Sequence, residues 1–157
     1  MTPHRLMRLV PAILAAALVA AVPAGRIDSL LARSRAAEAH GRTAEAIGLM
    51  QAVVVADPAR AASYVALGDL YARQHAPHFA RKYYAEALDL DPSLASALLG
   101  AARTDLALGD RAAAKKKLAR LVTSCGAECR GVADLQAALA APEDGRADTA
   151  AASLDKH

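Results

Sequence analysis

Apolar and small residues recur along this chain at a helical spacing, and the whole pattern repeats about every 34 residues. It is densest between Ala59 and Pro92. There Tyr64, Leu67, Gly68 and Tyr71 stand at i, i+3, i+4 and i+7, which is one face of a helix. Gln74-His75-Ala76-Pro77 interrupts the period, and Ala80, Tyr84 and Ala87 then resume it. Asp91-Pro92 ends the second run, because proline has no N–H and disfavours helical geometry in the residue before it. The stretch predicts two helices joined by a short turn. Gly68 and Ala80 let them approach closely, while Tyr64, Tyr71 and Tyr84 fill the space around the contact, each ring burying about 150–250 Å².

Weaker copies flank this unit. Upstream, over residues 27–58, Leu30, Ala37, Gly41, Ala46, Met50, Val53 and Pro58 occupy the corresponding places. Arg33 and Ser34 replace the leucine and glycine of the central copy, and Gly41-Arg42-Thr43 supplies the turn, with Thr43 expected to cap the second helix. Downstream, over residues 93–124, Leu98, Ala101, Ala102, Gly109, Ala114, Leu118 and Leu121 fit, but Asp105 stands where the central copy has Tyr71. Gly109-Asp110 marks the turn, and Lys115-Lys116-Lys117 on the following helix reads as a solvated face. A last helix is expected from Ala127 to Ala140, with Val132, Leu135, Gln136 and Leu139 forming the stripe that covers the final apolar face. Residues 142–157 are polar and without pattern, and read as a tail.

The order Tyr64-x2-Leu67-Gly68-x2-Tyr71, Ala80-x3-Tyr84, Pro92 resembles the tetratricopeptide repeat. The resemblance spans three repeats, at 27–58, 59–92 and 93–124, and is strongest in the middle one. It implies an all-α fold, an array of helical hairpins closed by a capping helix within a domain covering 25–141. It also implies a non-enzymatic scaffold whose first helices line a concave groove for a segment of another protein. Carried over by motif position, the partner-binding candidates are Leu31, Arg35 and Glu38, then Val65, Asp69 and Arg73, then Ser96, Leu99 and Arg103; the same places are also ordinary exposed helix positions. The family's variant that clamps a peptide's terminal carboxylate uses Lys and Asn at set positions, and those positions carry neither here. Three Arg residues, Arg35, Arg73 and Arg103, one on each first helix in near-equivalent turns, can still bind acidic side chains through paired hydrogen bonds. The stretch from Leu118 through Cys125 and Cys129 is similar to a group of small exported bacterial tetratricopeptide proteins with a Cys pair before the final helix.

Composition narrows the function further. Hydrophobic residues make up 55% of the 157 residues and aromatics 3%, an alanine-rich helical balance with no strand pattern. The formal charge of +3 depends on the N-terminus. Arg5 and Arg8, the apolar run Leu9 to Ala21 and Val22-Pro23-Ala24 read as an export signal over 1–24, cut after Ala24. Without that segment the 19 basic residues fall to 17 against 16 acidic ones, and the case for a nucleic-acid partner disappears. The 17 uncharged residues between Arg8 and Arg26 leave an uncleaved membrane anchor as the alternative. Either way the repeats are expected outside the cytoplasm, in the periplasm or at the membrane.

Candidate chemistry is sparse. Cys125 and Cys129 are the only cysteines, and an even count behind an export signal favours a disulfide between them. Reduced, inert thiols and a thiol-dependent redox or metallochaperone role remain open. His75 and His78 flank the central turn, but further metal ligands are not evident, and no metal or cofactor is expected. The chain has no G-x-S-x-G, phosphate-binding loop or H-E-x-x-H motif, so no residue is singled out for catalysis.

Overall fold

The computed structural model describes residues 24–141, and both the proposed leader and the 142–157 tail lie outside them, apart from Ala24. Seven helices form among the described residues: α1 (Ala24–Ala39), α2 (Thr43–Ala56), α3 (Ala61–Arg73), α4 (Pro77–Leu90), α5 (Ala95–Ala107), α6 (Arg111–Cys125) and α7 (Val132–Ala140). Among the described residues none of them is long and apolar enough to cross a membrane. Local chemistry accounts for several of the ends. Pro77 opens α4, where its missing N–H would have had no helical partner. The Asp110 side chain caps α6 by accepting from the Ala113 N–H at 2.9 Å. Thr43 does not cap α2 as expected. It is the first helical residue, Arg42 holds the cap position without a side-chain bond, and Arg42 pairs with Glu45 at 3.0 Å.

The helices pair as hairpins, α1 with α2, α3 with α4 and α5 with α6, and each second helix packs on the first helix of the next pair. α3 lies beside α5 and α5 beside α7, so the first helices form a row. The centre of the array is Tyr84, 2% exposed. A methyl group at Gly68 would lie 2.6 Å from its ring, and one at Gly100 would collide with it as well. Two glycines on successive first helices thus make a slot for one aromatic side chain. Leu67, Leu70, Leu98, Leu121 and Leu135 fill the core on either side. Phe79, Tyr71 and Tyr83 form a separate stack, with ring centres 5.2 and 5.3 Å apart, and Phe79 lies largely in solvent.

The flanking hairpins place paired polar groups where the central one has Gly68 and Tyr71. Ser34, in the place of Gly68, is buried and donates to the Ala46 carbonyl at 3.3 Å. Asp105, in the place of Tyr71, is 1% exposed and accepts from Lys117 Nζ at 2.5 Å. Lys117 therefore leaves the solvated face expected for the lysine run, whereas Lys115 and Lys116 stay exposed. The final helix starts at Val132, not Ala127. Residues between α6 and α7 are turned back by Gly126 and Gly131 at φ 87° and 82°, a region that side chains disfavour. A Cys125–Cys129 disulfide closes that turn, with Cα atoms 5.7 Å apart. Val132, Leu135 and Leu139 are buried against α5 and α6, while Gln136 faces outward. Arg111 donates to the Leu139 and Ala141 carbonyls at 2.5 and 2.9 Å, satisfying groups that the end of α7 leaves open.

Candidate functional site

Between α3, α5 and the start of α4 lies a cleft of about 470 Å³. Asp69, Ala72 and Arg73 line it from α3, Gly100, Arg103, Thr104 and Ala107 from α5, and His75, Pro77 and Tyr84 complete it. Helical spacing explains the first two walls. Asp69 and Arg73 are four residues apart on one face, and Gly100, Arg103, Thr104 and Ala107 follow at i, i+3, i+4 and i+7.

Tyr84 connects the core to this cleft. Its ring occupies the slot between the two glycines, and its hydroxyl donates to Asp69 Oδ1 at 2.5 Å. Burial raises the pKa of that hydroxyl, and the hydrogen bond to Asp69 and the Asp69 charge raise it further, against an opposing pull from Arg73 and Arg103. Tyr84 therefore stays protonated and keeps its hydroxyl donating to Asp69. His75 reaches the cleft from the α3–α4 turn, where it adopts a left-handed backbone at φ 55°.

The sequence candidates separate into groups. Asp69, Arg73 and Arg103 converge on the cleft. Glu38 lies next to it through an ion pair to Arg73, Oε2 to Nη2 at 2.7 Å. Arg103 in turn faces Asp134 of α7 at 3.8 Å. Arg35 and Ser96 are exposed, and Leu31 is half-buried against the α2 core. Val65 is a correction: it is 7% exposed and packs with Ala80, Tyr84, Ala87, Ala97 and Ala101, because its side chain turns into the interface between α3, α4 and α5. Leu99 is half-covered by the turn into α7, where a methyl group at Gly131 would lie 2.8 Å from its Cδ2. The sequence pattern places Tyr84 in packing alone. The signal available was its hydroxyl, since a buried tyrosine needs a partner for it and Asp69 follows directly on Gly68. Nothing in the sequence pointed to Thr104 or Ala107. Among the described residues no three His, Cys, Asp or Glu side chains gather as metal ligands.

No protein-family model matches the sequence, and no curated protein matches it. Solved structures do. The first tetratricopeptide domain of Spaghetti (RPAP3), bound to the HSP90 peptide SRMEEVD, superposes with a TM-score of 0.69 at 19% identity, over 76% of this chain and 94% of that one. The second such domain of human RPAP3, in complex with the HSP70 peptide SGPTIEEVD, gives 0.71 at 18% identity, over 77% and 100%. The Yersinia enterocolitica type III secretion chaperone SycD, in complex with a peptide of the translocator YopD, gives 0.67 at 17% identity, over 73% and 92%. With its hairpin order, its Gly68–Tyr84 contact and these superpositions, the chain has the tetratricopeptide-repeat fold.

Proposed function

We propose that this protein is a non-enzymatic scaffold that holds a segment of another protein against the row of first helices α1, α3 and α5. The observation that carries the reading is the cleft between α3 and α5, where Arg73 and Arg103 from successive hairpins meet over one concavity. A segment crossing it can place acidic side chains on the guanidinium groups. Arg35, exposed on α1, extends the row, Leu31 and Leu99 offer apolar contact beside it, and Ser96 lies on the same course. Val65 takes no part, being buried. The similar structures support this use of the fold, since they hold peptides and two of those peptides, SRMEEVD and SGPTIEEVD, are acidic.

The place of action in this reading is outside the cytoplasm. It rests on the basic start, apolar run and small-residue boundary of residues 1–24. A free periplasmic protein follows if that segment is cleaved, and a membrane-tethered one if it is not. Intact mass of the protein from an extracytoplasmic fraction distinguishes the two.

Crosslinking in the native compartment, followed by identification of the captured protein, tests the scaffold itself. Changing Arg35, Arg73 and Arg103 together to Ala should weaken capture while leaving helical content nearly unchanged, because exposed charges contribute little to stability. Added salt should weaken wild-type capture in the same direction. Capture at wild-type strength by the triple variant would remove this face as the functional surface.

A further inference from the structure

We infer that Glu38 and Asp134 are built-in competitors at the cleft, occupying the guanidinium groups that a partner's acidic side chain takes over on binding. The inference rests on the scaffold reading above and adds to it the residues that set affinity and selectivity.

The charges of the cleft carry the argument. Its lining holds one carboxylate, Asp69, and two guanidinium groups, Arg73 and Arg103. Asp69 spends one oxygen on the Tyr84 hydroxyl and keeps the other for a donor such as a segment's backbone N–H. Counting these three groups, the cleft has one positive charge in excess, which a single acidic side chain neutralises. Both guanidinium groups line the same cleft, one from each wall.

Each guanidinium already faces a carboxylate from a neighbouring helix. Glu38 of α1 meets Arg73 at 2.7 Å, and Asp134 of α7 meets Arg103 at 3.8 Å. The site is thus compatible with carboxylates by its own example. The pairs differ in strength, and each leaves its guanidinium open to solvent. The Asp134 side chain is 83% exposed at a distance beyond a hydrogen bond, while Glu38 is 33% exposed and hydrogen-bonded, and the two Arg side chains are 55% and 54% exposed. Pairs in that setting gain little over their hydrated, separated groups. A carboxylate entering the cleft can draw on both Arg73 and Arg103, which line it, whereas Glu38 and Asp134 are each paired with one. Exchange therefore runs towards the partner when a segment brings further contacts, and against a free anion, which brings none. Arg35, by contrast, has no ion-pair partner among the described residues and serves as an open end of the row.

The test measures binding of a labelled short peptide of alternating leucine and glutamate, blocked at both ends, and of its glutamine counterpart. Full-length wild type, Glu38→Gln/Asp134→Asn and Arg73→Gln/Arg103→Gln are compared. Removing both competitors should tighten the glutamate peptide by about three- to tenfold, from the worth of exposed pairs. It should leave the glutamine peptide unchanged, and the Arg73→Gln/Arg103→Gln form should bind neither peptide above the glutamine level. Equal affinity for the glutamate peptide in wild type and the competitor-free form overturns the inference. So does equal tightening of both peptides, or failure of every form to bind the glutamate peptide. The competitor inference and the scaffold reading fail separately. If the captured partner depends on the three Arg residues but is indifferent to Glu38 and Asp134, only the competition is wrong. If the competitor-free form tightens the peptide but the captured partner ignores the triple Arg variant, the scaffold reading is the one that falls.

Discussion

Replacing Tyr84 tests the packing on which the whole array depends. The ring is 2% exposed and lies between Gly68 and Gly100, whose missing side chains leave no neighbour able to move into its place. Tyr84→Ala removes the aromatic surface and leaves a cavity, at a cost of about 3–5 kcal/mol. Against a domain stability of about 5–15 kcal/mol this is a large fraction. With an unfolding entropy of about 2 cal/mol/K per residue, it lowers the thermal midpoint by about 12–20 °C. Tyr84→Phe keeps the ring and loses only the bond to Asp69, an exposed group that water can serve instead, so the loss is about 1 kcal/mol. Circular dichroism during heating and urea unfolding measures both variants. Alkali gives an independent check. The folded-state pKa of Tyr84 is raised above its ordinary 10.0, first by burial and then by Asp69. Its contribution is therefore present below about pH 10 and lost as the pH rises beyond it. Wild type should lose stability more steeply than Tyr84→Phe across that range. A Tyr84→Ala midpoint within a few degrees of wild type would refute the slot, and with it the pairing of Gly68 and Gly100 across the ring.

Three further outcomes follow from the same packing. Gly100→Leu drives a side chain into the Tyr84 ring and should cost about 1–3 kcal/mol in urea unfolding, whereas the open Gly48 should tolerate Ala with little change. Lys117→Met strands the Asp105 carboxylate, 1% exposed, and should cost about 3–5 kcal/mol; joining it to Asp105→Leu should restore most of the loss, and a wild-type midpoint for the single variant would show that the pair is not holding α5 to α6. Alkylation of the purified protein without reductant should leave Cys125 and Cys129 unmodified, and reduction should cost about 2 kcal/mol. Free labelling of either thiol would assign the pair to thiol chemistry instead.

What was legible in the sequence was periodic. Leu67, Gly68, Ala80, Tyr84 and Ala87 are core residues in both readings, since helical spacing alone brings them to one face. The misses share a cause, which is that motif position gives an angle around a helix but not what lies opposite. Val65 has a groove position by spacing, yet α4 and α5 close over it. Lys117 belongs to a charge run, yet Asp105 draws it inward from a position usually aromatic, a partnership across helices that no local pattern encodes. The start of α7 moved because the Cys pair and two left-handed glycines consume the residues that helical periodicity would have used. The cleft was half visible: its charged walls lie at motif positions, but its floor depends on the absence of a side chain at Gly100.

That floor ties the candidate site to the most tightly packed part of the fold. One face of this link is mechanical. Because Tyr84 can enter only where two glycines leave room, the spacing between α3 and α5 is set by its ring, and that spacing is also the width of the cleft. The other face is electrostatic. The hydroxyl at the end of the same ring holds Asp69, and Asp69 lies among the two guanidinium groups on which binding is proposed to depend. A larger residue at Gly68 or Gly100 would therefore act on binding and stability together, through one displaced ring. Arg73 and Arg103 are different, because their side chains are more than half exposed and support no core contact. Changes there should act on binding with little effect on folding. The separation follows from geometry: the residues that shape the cleft are buried, and the residues that charge it are not.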